Sequence, residues 1–256
     1  MKSIYQTSFS NQKVLVRVDF NVPLNSQKKV TDTSRIVAAK KTIDKITNDG
    51  GTAILMSHLG RPNGNDPELS LSHIVEAVED VLGKPILFSS QVIGKETLSI
   101  IKDSKPGQVI LLENLRYHTE EEKGDVSFAK ELSFLADSYV NDAFGTAHRA
   151  HASTSVVAGF FKENKFAGDL LLKEVDSIKK VVDAGKKPVL AILGGAKVSS
   201  KITIINNIID KVDKLIIGGG MAFTFIKAKG GNIGAVSYTH LRAHETREDL
   251  VCRVIR

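Results

Sequence analysis

Arginine is scarce through most of this chain, so the positions where it occurs carry information. Residues 1–235 contain 26 Lys but only five Arg. A planar guanidinium holds a carboxylate or a phosphate through two parallel hydrogen bonds, whereas the ammonium of Lys is a single point charge. We therefore expect most of these arginines to bind an anion; the alternative is that one or two of them are structural salt-bridge partners. The five are Arg17, Arg35, Arg61, Arg116 and Arg149.

These arginines stand in or near polar segments that follow short apolar runs. Three of the segments deliver Arg61, Arg116 and Arg149, and Arg35 stands where the first helical pattern begins. Ligands of a parallel sheet bind outside the carboxyl ends of its strands. If the apolar runs are such strands, cations from separate strand ends meet on one rim. The segments are 19–23 (DFNVP), 57–62 (SHLGRP), 113–116 (ENLR) and 141–149 (NDAFGTAHR).

Each segment taken alone has a simpler explanation. Asp19 and Asn21 could cap a turn before a proline, and His58 could be hydrogen-bonded within its own loop. Arg116 could pair with the nearby Glu113. The number of separate segments favours a shared pocket instead. Several forked cations beside one acid–amide pair suit a small ligand with two anionic groups and a hydroxyl.

Two glycine-rich turns later in the chain predict a second anion site. Each follows an apolar run and precedes a helical pattern, and two lysines four residues apart share one face after the first turn. Glycine lets the backbone approach a phosphate closely, and a helix start offers free N–H groups. A single turn of this kind is about as often an ordinary one with solvated lysines, and the spacing is not that of a P-loop. The residues are Gly194, Gly195, Lys197, Lys201, Gly218 and Gly219.

Short apolar runs alternate with segments of helical period, which predicts an α/β fold. We expect a Rossmann-like parallel sheet with flanking helices, followed by an incomplete second α/β domain. The predicted strands are 13–18, 52–56, 85–88, 109–112, 138–140, 188–193 and 214–217. The predicted helices are 33–48, 70–82, 127–136, 169–184, 199–211 and 221–229.

The strand–helix series restarts after the fourth predicted helix, so we place a domain junction there. The predicted domains are 1–168, which would bind the substrate, and 188–235, an incomplete nucleotide-binding domain. Residues 169–187 would form the interdomain helix and linker. Residues 236–256 reverse the lysine bias, with four Arg and no Lys. We interpret this tail as out-of-frame or vector-derived sequence. A short native helical extension is the alternative.

Composition excludes several classes of protein. No stretch approaches the roughly 18 continuous apolar residues of a membrane span, and the first residues lack the apolar core of a signal peptide. The single cysteine, Cys252, forms no internal disulfide, which is typical of a reducing compartment. The net charge of +6 is dispersed, and there is no Trp, so a nucleic-acid partner is not expected. These features predict a cytoplasmic protein.

Six motifs in order give the chain a specific resemblance. Together they resemble phosphoglycerate kinase over residues 1 to about 235. The resemblance implies a first domain that binds 3-phosphoglycerate or 1,3-bisphosphoglycerate and a second that binds ADP or ATP with Mg²⁺. It implies a glycolytic phosphotransferase whose domains close to pass a phosphoryl group between the two substrates. The motifs are 14–23 (VLVRVDFNVP), 57–62 (SHLGRP), 113–116 (ENLR), 141–151 (NDAFGTAHRAH), 193–198 (LGGAKV) and 218–223 (GGGMAF).

The resemblance also implies roles in the first domain. Asp19 and Asn21 would hydrogen-bond the substrate, and Arg35 would lie near the transferring phosphoryl group. Arg17, inside a predicted strand, is expected to be structural. The remaining residues would grip the phosphate and carboxyl end of the substrate; they are His58, Arg61, Arg116 and Arg149.

In the second domain the resemblance gives Lys197 a catalytic role, because it would follow the phosphoryl group in the transition state. Lys201 and the four named glycines would contact the nucleotide phosphates. No metal ligand is expected in this chain. Family members continue well beyond this point, and the acidic residue that helps to hold magnesium is expected there.

We therefore expect the chain to bind its substrate, to turn over poorly and to be a monomer. Two alternatives remain open from the sequence. One is a non-enzymatic binding module for a phosphorylated metabolite, which would use only the arginine rim. The other is a truncated gene product with no cellular role. Ligand affinity separates them, because only the first alternative retains binding of the metabolite.

Overall fold

The computed structural model describes residues 2–184, 187–195 and 201–234. The chain divides into two compact units, residues 1–174 and the residues from 175 onward. The boundary lies within one long helix, Asp169–Ala184. The predicted residue Lys197 and the predicted tail 236–256 lie outside the described residues.

The first unit is built on a six-stranded sheet in which every neighbouring pair of strands is parallel. The order across the sheet is β3-β4-β2-β1-β5-β6, so the first strand lies near the centre. A parallel sheet of this kind needs a crossover after each strand, and the helices provide the crossovers. The strands are β1 (Lys13–Arg17), β2 (Thr52–Met56), β3 (Ile86–Phe88), β4 (Val109–Leu111), β5 (Ser138–Asn141) and β6 (Lys165–Ala167).

Helices cover both faces of the sheet. Val14 and Val16 of β1 belong to a buried cluster that includes Ile36 of the first helix, whereas Leu15 belongs to a second cluster with Phe128. This division follows from the alternation of side chains along a strand. The predicted α/β architecture is confirmed. The helices of this unit are α1 (Ser34–Asn48), α2 (Val75–Leu82), α3 (Lys95–Asp103), α4 (Thr119–Lys123), α5 (Val126–Ser133) and α6 (Asp169–Ala184), the last of which continues past residue 174.

The sequence prediction missed three elements of the first unit. Strand β6 has only three residues, one of them an exposed lysine, so it shows no apolar run. Helix α4 has the sequence TEEEK and a single buried residue, which leaves no helical period to detect. Helix α3 begins after Gly94, which has no side chain to cap the helix. Strand β6 and helix α4 therefore lack the apolar run or helical period that the prediction used, and helix α3 lacks only a capping side chain at its start.

The second unit, in its described part, has two parallel strands in register from Leu190 paired with Lys214 to Gly194 paired with Gly218. Its small core includes Ile205, Leu215, Ile217 and Met221. The outer residues of the first strand stay exposed; Ile192 is 66% exposed. The elements are β7 (Leu190–Gly194), α7 (Ile202–Ile208), β8 (Lys214–Gly218) and α8 (Gly220–Ala228).

Among the described helices, none combines the length and the apolar character needed to cross a membrane.

Candidate functional site

The four polar segments singled out in the sequence follow four adjacent strands. These strands, β4, β2, β1 and β5, are the inner four of the six, with β3 and β6 at the edges. Because neighbouring strands are parallel, their carboxyl ends lie at one edge of the sheet. The topology therefore brings together segments that are up to about 120 residues apart in the chain.

The carboxylate of Asp19, directly after β1, holds the guanidinium of Arg35 at the start of α1. The distance from Oδ2 of Asp19 to NH1 of Arg35 is 2.8 Å. The Arg35 side chain is half exposed. Close by, Gly145 leaves room for the carboxylate, since an added Cβ would lie 3.3 Å from Oδ2. The pair fixes a cation at the rim without burying it.

Asn21 and Arg116 both brace the loop that follows β2. The side-chain oxygen of Asn21 accepts the amide N–H of Gly60 at 2.8 Å. Arg116 donates to the carbonyl oxygen of the same Gly60 at 2.5 Å. Arg116 is also ion-paired with Glu122 at 3.0 Å. The sequence alternative in which Arg116 pairs with Glu113 is therefore wrong.

Glu113 has other partners, which explains why it is not available to Arg116. Its carboxylate accepts the hydroxyl of Ser70 at 2.6 Å and the amide N–H of Leu71 at 2.8 Å. Glu113 is 7% exposed. It ties the end of β4 to the segment that leads into α2, and so it supports the rim from beneath.

His58 is buried beneath the rim and is held by Arg17. One nitrogen of the Arg17 guanidinium lies 3.1 Å from Nδ1 of His58. Burial, together with the positive charges of Arg17, Arg116 and Arg149, lowers the pKa of His58 to about 2. The imidazole is therefore neutral at physiological pH. Its surroundings are consistent with a preformed site for negative charge.

Arg61 and Arg149 differ from the other arginines of the rim. Within the described part of the chain, neither guanidinium has a hydrogen bond or an ion pair to a protein acceptor. Burial lowers the pKa of Arg116, and the positive charges of Arg149 and Arg61 add to this effect. Both free cations thus lie close enough to Arg116 to act on its charge. Two unpaired guanidiniums beside a third form a receptor for an anion.

The structure brings the predicted first-unit residues together around one rim. The charges of Arg35, Arg116 and Arg149 all act on His58, and Arg61 acts on Arg116. Asn21 and Asp19 belong to the same group of loops, because Asn21 contacts Gly60 and Asp19 contacts Arg35. The arrangement gives a cationic rim with both free and braced donors. A rim of this kind favours an anionic ligand.

Sequence reasoning missed two buried residues below this rim. Glu121 is 1% exposed, and its carboxylate accepts both the hydroxyl and the amide N–H of Ser153. The hydroxyl of Ser153 in turn accepts from Nε of Arg17. Glu121 lies in a run of three glutamates and Ser153 in a run of small polar residues. Neither run carried a local signal of burial.

The two glycine turns of the second unit lie side by side. Gly194 and Gly218 are partners at the ends of the paired strands, and Gly195 accepts the amide N–H of Met221 at 2.8 Å. An added Cβ at Gly195 would lie 3.2 Å from Cε of Lys201, so this lysine reaches back toward the turn. Gly219 has a φ of 64° and directly precedes α8. The described glycines and Lys201 are therefore brought together.

Among the described residues, no group of three or more His, Cys, Asp or Glu side chains has the arrangement to hold a metal ion.

Comparison with known proteins gives the family. The family model described as phosphoglycerate kinase matches residues 4–253. Phosphoglycerate kinase of Porphyromonas gingivalis is 47% identical in an alignment that covers 91% of this chain and 61% of that protein. Phosphoglycerate kinase of Moorella thermoacetica is 51% identical in an alignment that covers 88% of this chain and 57% of that protein.

Solved structures give the same result. The structure of phosphoglycerate kinase from Coxiella burnetii superimposes with a TM-score of 0.75 at 38% identity, and covers 91% of this chain. That from Pyrococcus horikoshii gives a TM-score of 0.77 at 29% identity. This chain spans 58% and 59% of those chains, and 57–61% of the curated relatives named above. Since the family model matches almost the whole chain and the solved structures agree, the chain belongs to the phosphoglycerate kinase family.

Proposed function

We propose that this chain belongs to a glycolytic phosphotransferase that moves a phosphoryl group between 1,3-bisphosphoglycerate and ADP. In the reverse direction the substrates are 3-phosphoglycerate and ATP. The observation that carries the proposal is the pair of unpartnered guanidiniums, Arg61 and Arg149, set beside Arg116 at the carboxyl ends of adjacent strands. Family membership supports the choice of substrate.

The first unit would bind the glycerate substrate through charge and shape. Arg61, Arg116 and Arg149 would hold its phosphate and carboxyl end, with a neutral hydrogen bond from His58. Asp19 and Asn21 would accept and donate hydrogen bonds at the substrate hydroxyl. Hydrogen bonds to charged groups contribute about 1.5–3 kcal/mol each. Three guanidiniums in one pocket are therefore enough for selective binding of a doubly anionic metabolite.

Transfer itself would need positioning and neutralisation more than covalent chemistry. In the glycolytic direction an oxygen of the ADP β-phosphate attacks the acyl phosphorus, and the bond to the carboxyl oxygen breaks. The 3-phosphoglycerate carboxylate leaves with the electron pair. Arg35, held at 2.8 Å by Asp19, would stabilise charge that develops on the transferring group. No general base is required, because the attacking oxygen is already ionised.

The second unit would supply the nucleotide phosphates with backbone N–H groups and cations. Gly194, Gly195, Gly218 and Gly219 would allow close approach of the backbone, and Lys201 would add positive charge. Lys197, which lies outside the described residues, would accompany the phosphoryl group. Magnesium would bring further positive charge to the phosphates when it is bound. The described residues offer it no carboxylate cluster, so none of the steps above depends on a metal ligand of this chain.

Calorimetric titration of 3-phosphoglycerate into the full chain tests the proposal. We expect Arg149→Ala and Arg61→Ala each to raise Kd by about 10- to 100-fold, the equivalent of one charged hydrogen bond. Both guanidiniums lack partners in the described protein, so their removal leaves no protein acceptor unpaired. Lys102→Ala, an exposed cation near the end of α3, is the matched control. Equal affinity in all four proteins would contradict the proposal.

A second titration with ADP and ATP separates the enzyme from a binding module. The phosphotransferase requires nucleotide affinity that a module using only the arginine rim does not have. A coupled assay then measures turnover. We expect low turnover by this chain alone, because the described part of the second unit is a two-stranded sheet with Ile192 exposed. Turnover near that of full-length relatives would overturn this expectation.

A further inference from the structure

A chain of buried polar groups runs beneath the arginine rim and ends on His58. Arg17 is 1% exposed. Its Nε donates to the hydroxyl of Ser153 at 2.9 Å, and its NH2 group donates to Nδ1 of His58 at 3.1 Å. Its NH1 group donates to the carbonyl oxygen of Val18. Each of the three nitrogens of the guanidinium therefore makes a hydrogen bond within the protein.

The counter-charge of Arg17 is Glu121, one hydroxyl away. The Ser153 hydroxyl donates to Oε1 of Glu121 at 2.6 Å, and the Ser153 amide N–H donates to Oε2 at 2.9 Å. Ser153 is fully buried. A buried charge without a compensating partner is strongly unfavourable. The Ser153 hydroxyl accepts from Arg17 and donates to Glu121, so the three groups form one directed chain.

This chain fixes the proton on the imidazole of His58. A guanidinium has N–H donors and no acceptor. Nδ1 of His58 must therefore accept, and the ring proton must be on Nε2. Among the described residues Nε2 has no hydrogen-bond partner of its own. The ring thus presents one uncharged N–H group, without a protein acceptor, next to the cations of the rim.

We propose that Glu121 and Ser153 are positioning residues, which act through Arg17 to lock His58 in the Nε2–H tautomer as a neutral donor to an anionic ligand. The identity of that ligand as a phosphorylated carboxylate rests on the proposed function. The opposite tautomer would place a lone pair on Nε2, facing the same anion, and would repel it. Two buried residues that touch no ligand would therefore decide whether His58 attracts or repels the substrate.

The charged groups around His58 all lower the pKa of its imidazole. Arg17 from β1, Arg116 from the segment after β4, Arg149 from the segment after β5 and Arg35 from α1 all disfavour a charged imidazole. On the acidic side, Glu121 acts on Arg17 and Arg116. The binding contribution of His58 should therefore be constant between pH 5 and pH 8, where an ordinary histidine titrates.

Nitrogen-15 NMR of the histidine rings in the full, ligand-free chain tests the tautomer. His58→Gln assigns the resonances by their loss. We expect the wild-type ring to show a protonated Nε2 and an unprotonated Nδ1, without change from pH 8 to pH 5. In Ser153→Ala and Glu121→Gln the chain is broken, so the Nδ1–H tautomer should appear.

The matched control is Ser155→Ala, an exposed serine of the same loop, whose His58 signals should equal those of the wild type. Affinity for 3-phosphoglycerate is measured on the same proteins. We expect Kd to rise about 3- to 10-fold in Ser153→Ala, the equivalent of one ordinary hydrogen bond. Glu121→Gln preserves the shape of the side chain. It therefore provides a second test of the same chain if Ser153→Ala does not fold.

The outcomes are distinct. A wild-type ring protonated on Nδ1, or unchanged His58 signals in both Ser153→Ala and Glu121→Gln, would overturn the proposal. Altered signals with unchanged affinity would show that the tautomer does not serve binding, which also overturns it. If no protein binds 3-phosphoglycerate, the ligand assignment of the proposed function fails, while the ligand-free spectra still decide the tautomer.

Discussion

At the scale of the single residue, the site combines cations that are braced with cations that are free. Arg116 and Arg35 each have a carboxylate partner, at 3.0 Å and 2.8 Å respectively, whereas Arg61 and Arg149 have none in the described chain. A braced guanidinium is preorganised and keeps part of its donor set for a ligand. A free one gains its first partner when the ligand arrives. The braced guanidiniums should therefore orient an anionic ligand, and the free ones should add to its affinity.

Asp142, the residue that follows β5, gives a prediction for pH. Burial raises its pKa from 3.8 to about 7, and hydrogen bonds from Thr42 and from the amides of Leu171 and Leu170 offset only part of this effect. Its Oδ2 has no hydrogen-bond partner in the described chain. Between pH 4 and pH 7 the folded protein therefore holds a proton that the unfolded chain releases. Its free energy of unfolding must fall as pH rises through that window.

We therefore expect Asp142→Asn to remove this dependence. Relative to wild type, the variant should become more stable by about 1–3 kcal/mol as the pH rises from 5 to 8, because each pKa unit corresponds to about 1.4 kcal/mol. Urea unfolding of the full chain at both values measures the change. Asp80→Asn, at an exposed carboxylate on α2, is the control. Parallel pH profiles for wild type and Asp142→Asn would contradict the account.

At the scale of the element, the arginine rim depends on how closely α4 approaches the loop after β5. Gly124 ends α4 with a φ of 67°. A Cβ added there would lie 2.4 Å from the carbonyl oxygen of Ala150. Ala150 is the neighbour of Arg149, whose own carbonyl oxygen accepts the hydroxyl of Thr154 at 2.7 Å. The glycine lets the helix end and the arginine loop pack in contact.

Gly124→Ala should therefore affect both stability and binding. We expect a loss of about 1–3 kcal/mol in the free energy of unfolding, from the left-handed backbone and the forced displacement of Ala150. Affinity for 3-phosphoglycerate should fall as well, because Arg149 moves with that loop. Both are measured by urea unfolding and calorimetry.

The control for this variant is Gly83→Ala. Gly83 also ends a helix in the left-handed region, with a φ of 69°, but an added Cβ there meets nothing within 4 Å. It should lose stability by the backbone effect alone, about 1 kcal/mol, and keep its affinity. Equal losses of affinity in the two variants would show that close packing of Gly124 does not position Arg149.

The sequence was informative about elements where an apolar run or a helical period existed. All seven predicted strands are present. Most of them are buried parallel strands, which are continuous apolar runs, as in AILM of β2. Helix α4 and strand β6 have no such run and were missed. The rim arginines were predicted by residue type and by their place after strands. The network of Glu121 and Ser153 was not, because only folding brings these two residues, 32 apart in the chain, into contact.

At the scale of the whole molecule, the two units have hydrophobic cores of different size. The first buries two large apolar clusters on the two faces of six strands. The described part of the second buries one small cluster on two strands, and Leu190, Ile192 and Ile202 remain about half exposed or more. Two strands are fewer than an independently stable sheet needs. Substrate binding should therefore reside in the first unit.

A structure of the full chain determined with 3-phosphoglycerate tests the central claim most directly. The account predicts that the phosphate and carboxylate of the ligand lie at the carboxyl ends of β1, β2, β4 and β5. They should contact the guanidiniums of Arg61, Arg116 and Arg149 and Nε2 of His58. A ligand bound elsewhere at saturating concentration, with Arg61 and Arg149 both still without an anionic partner, would contradict it.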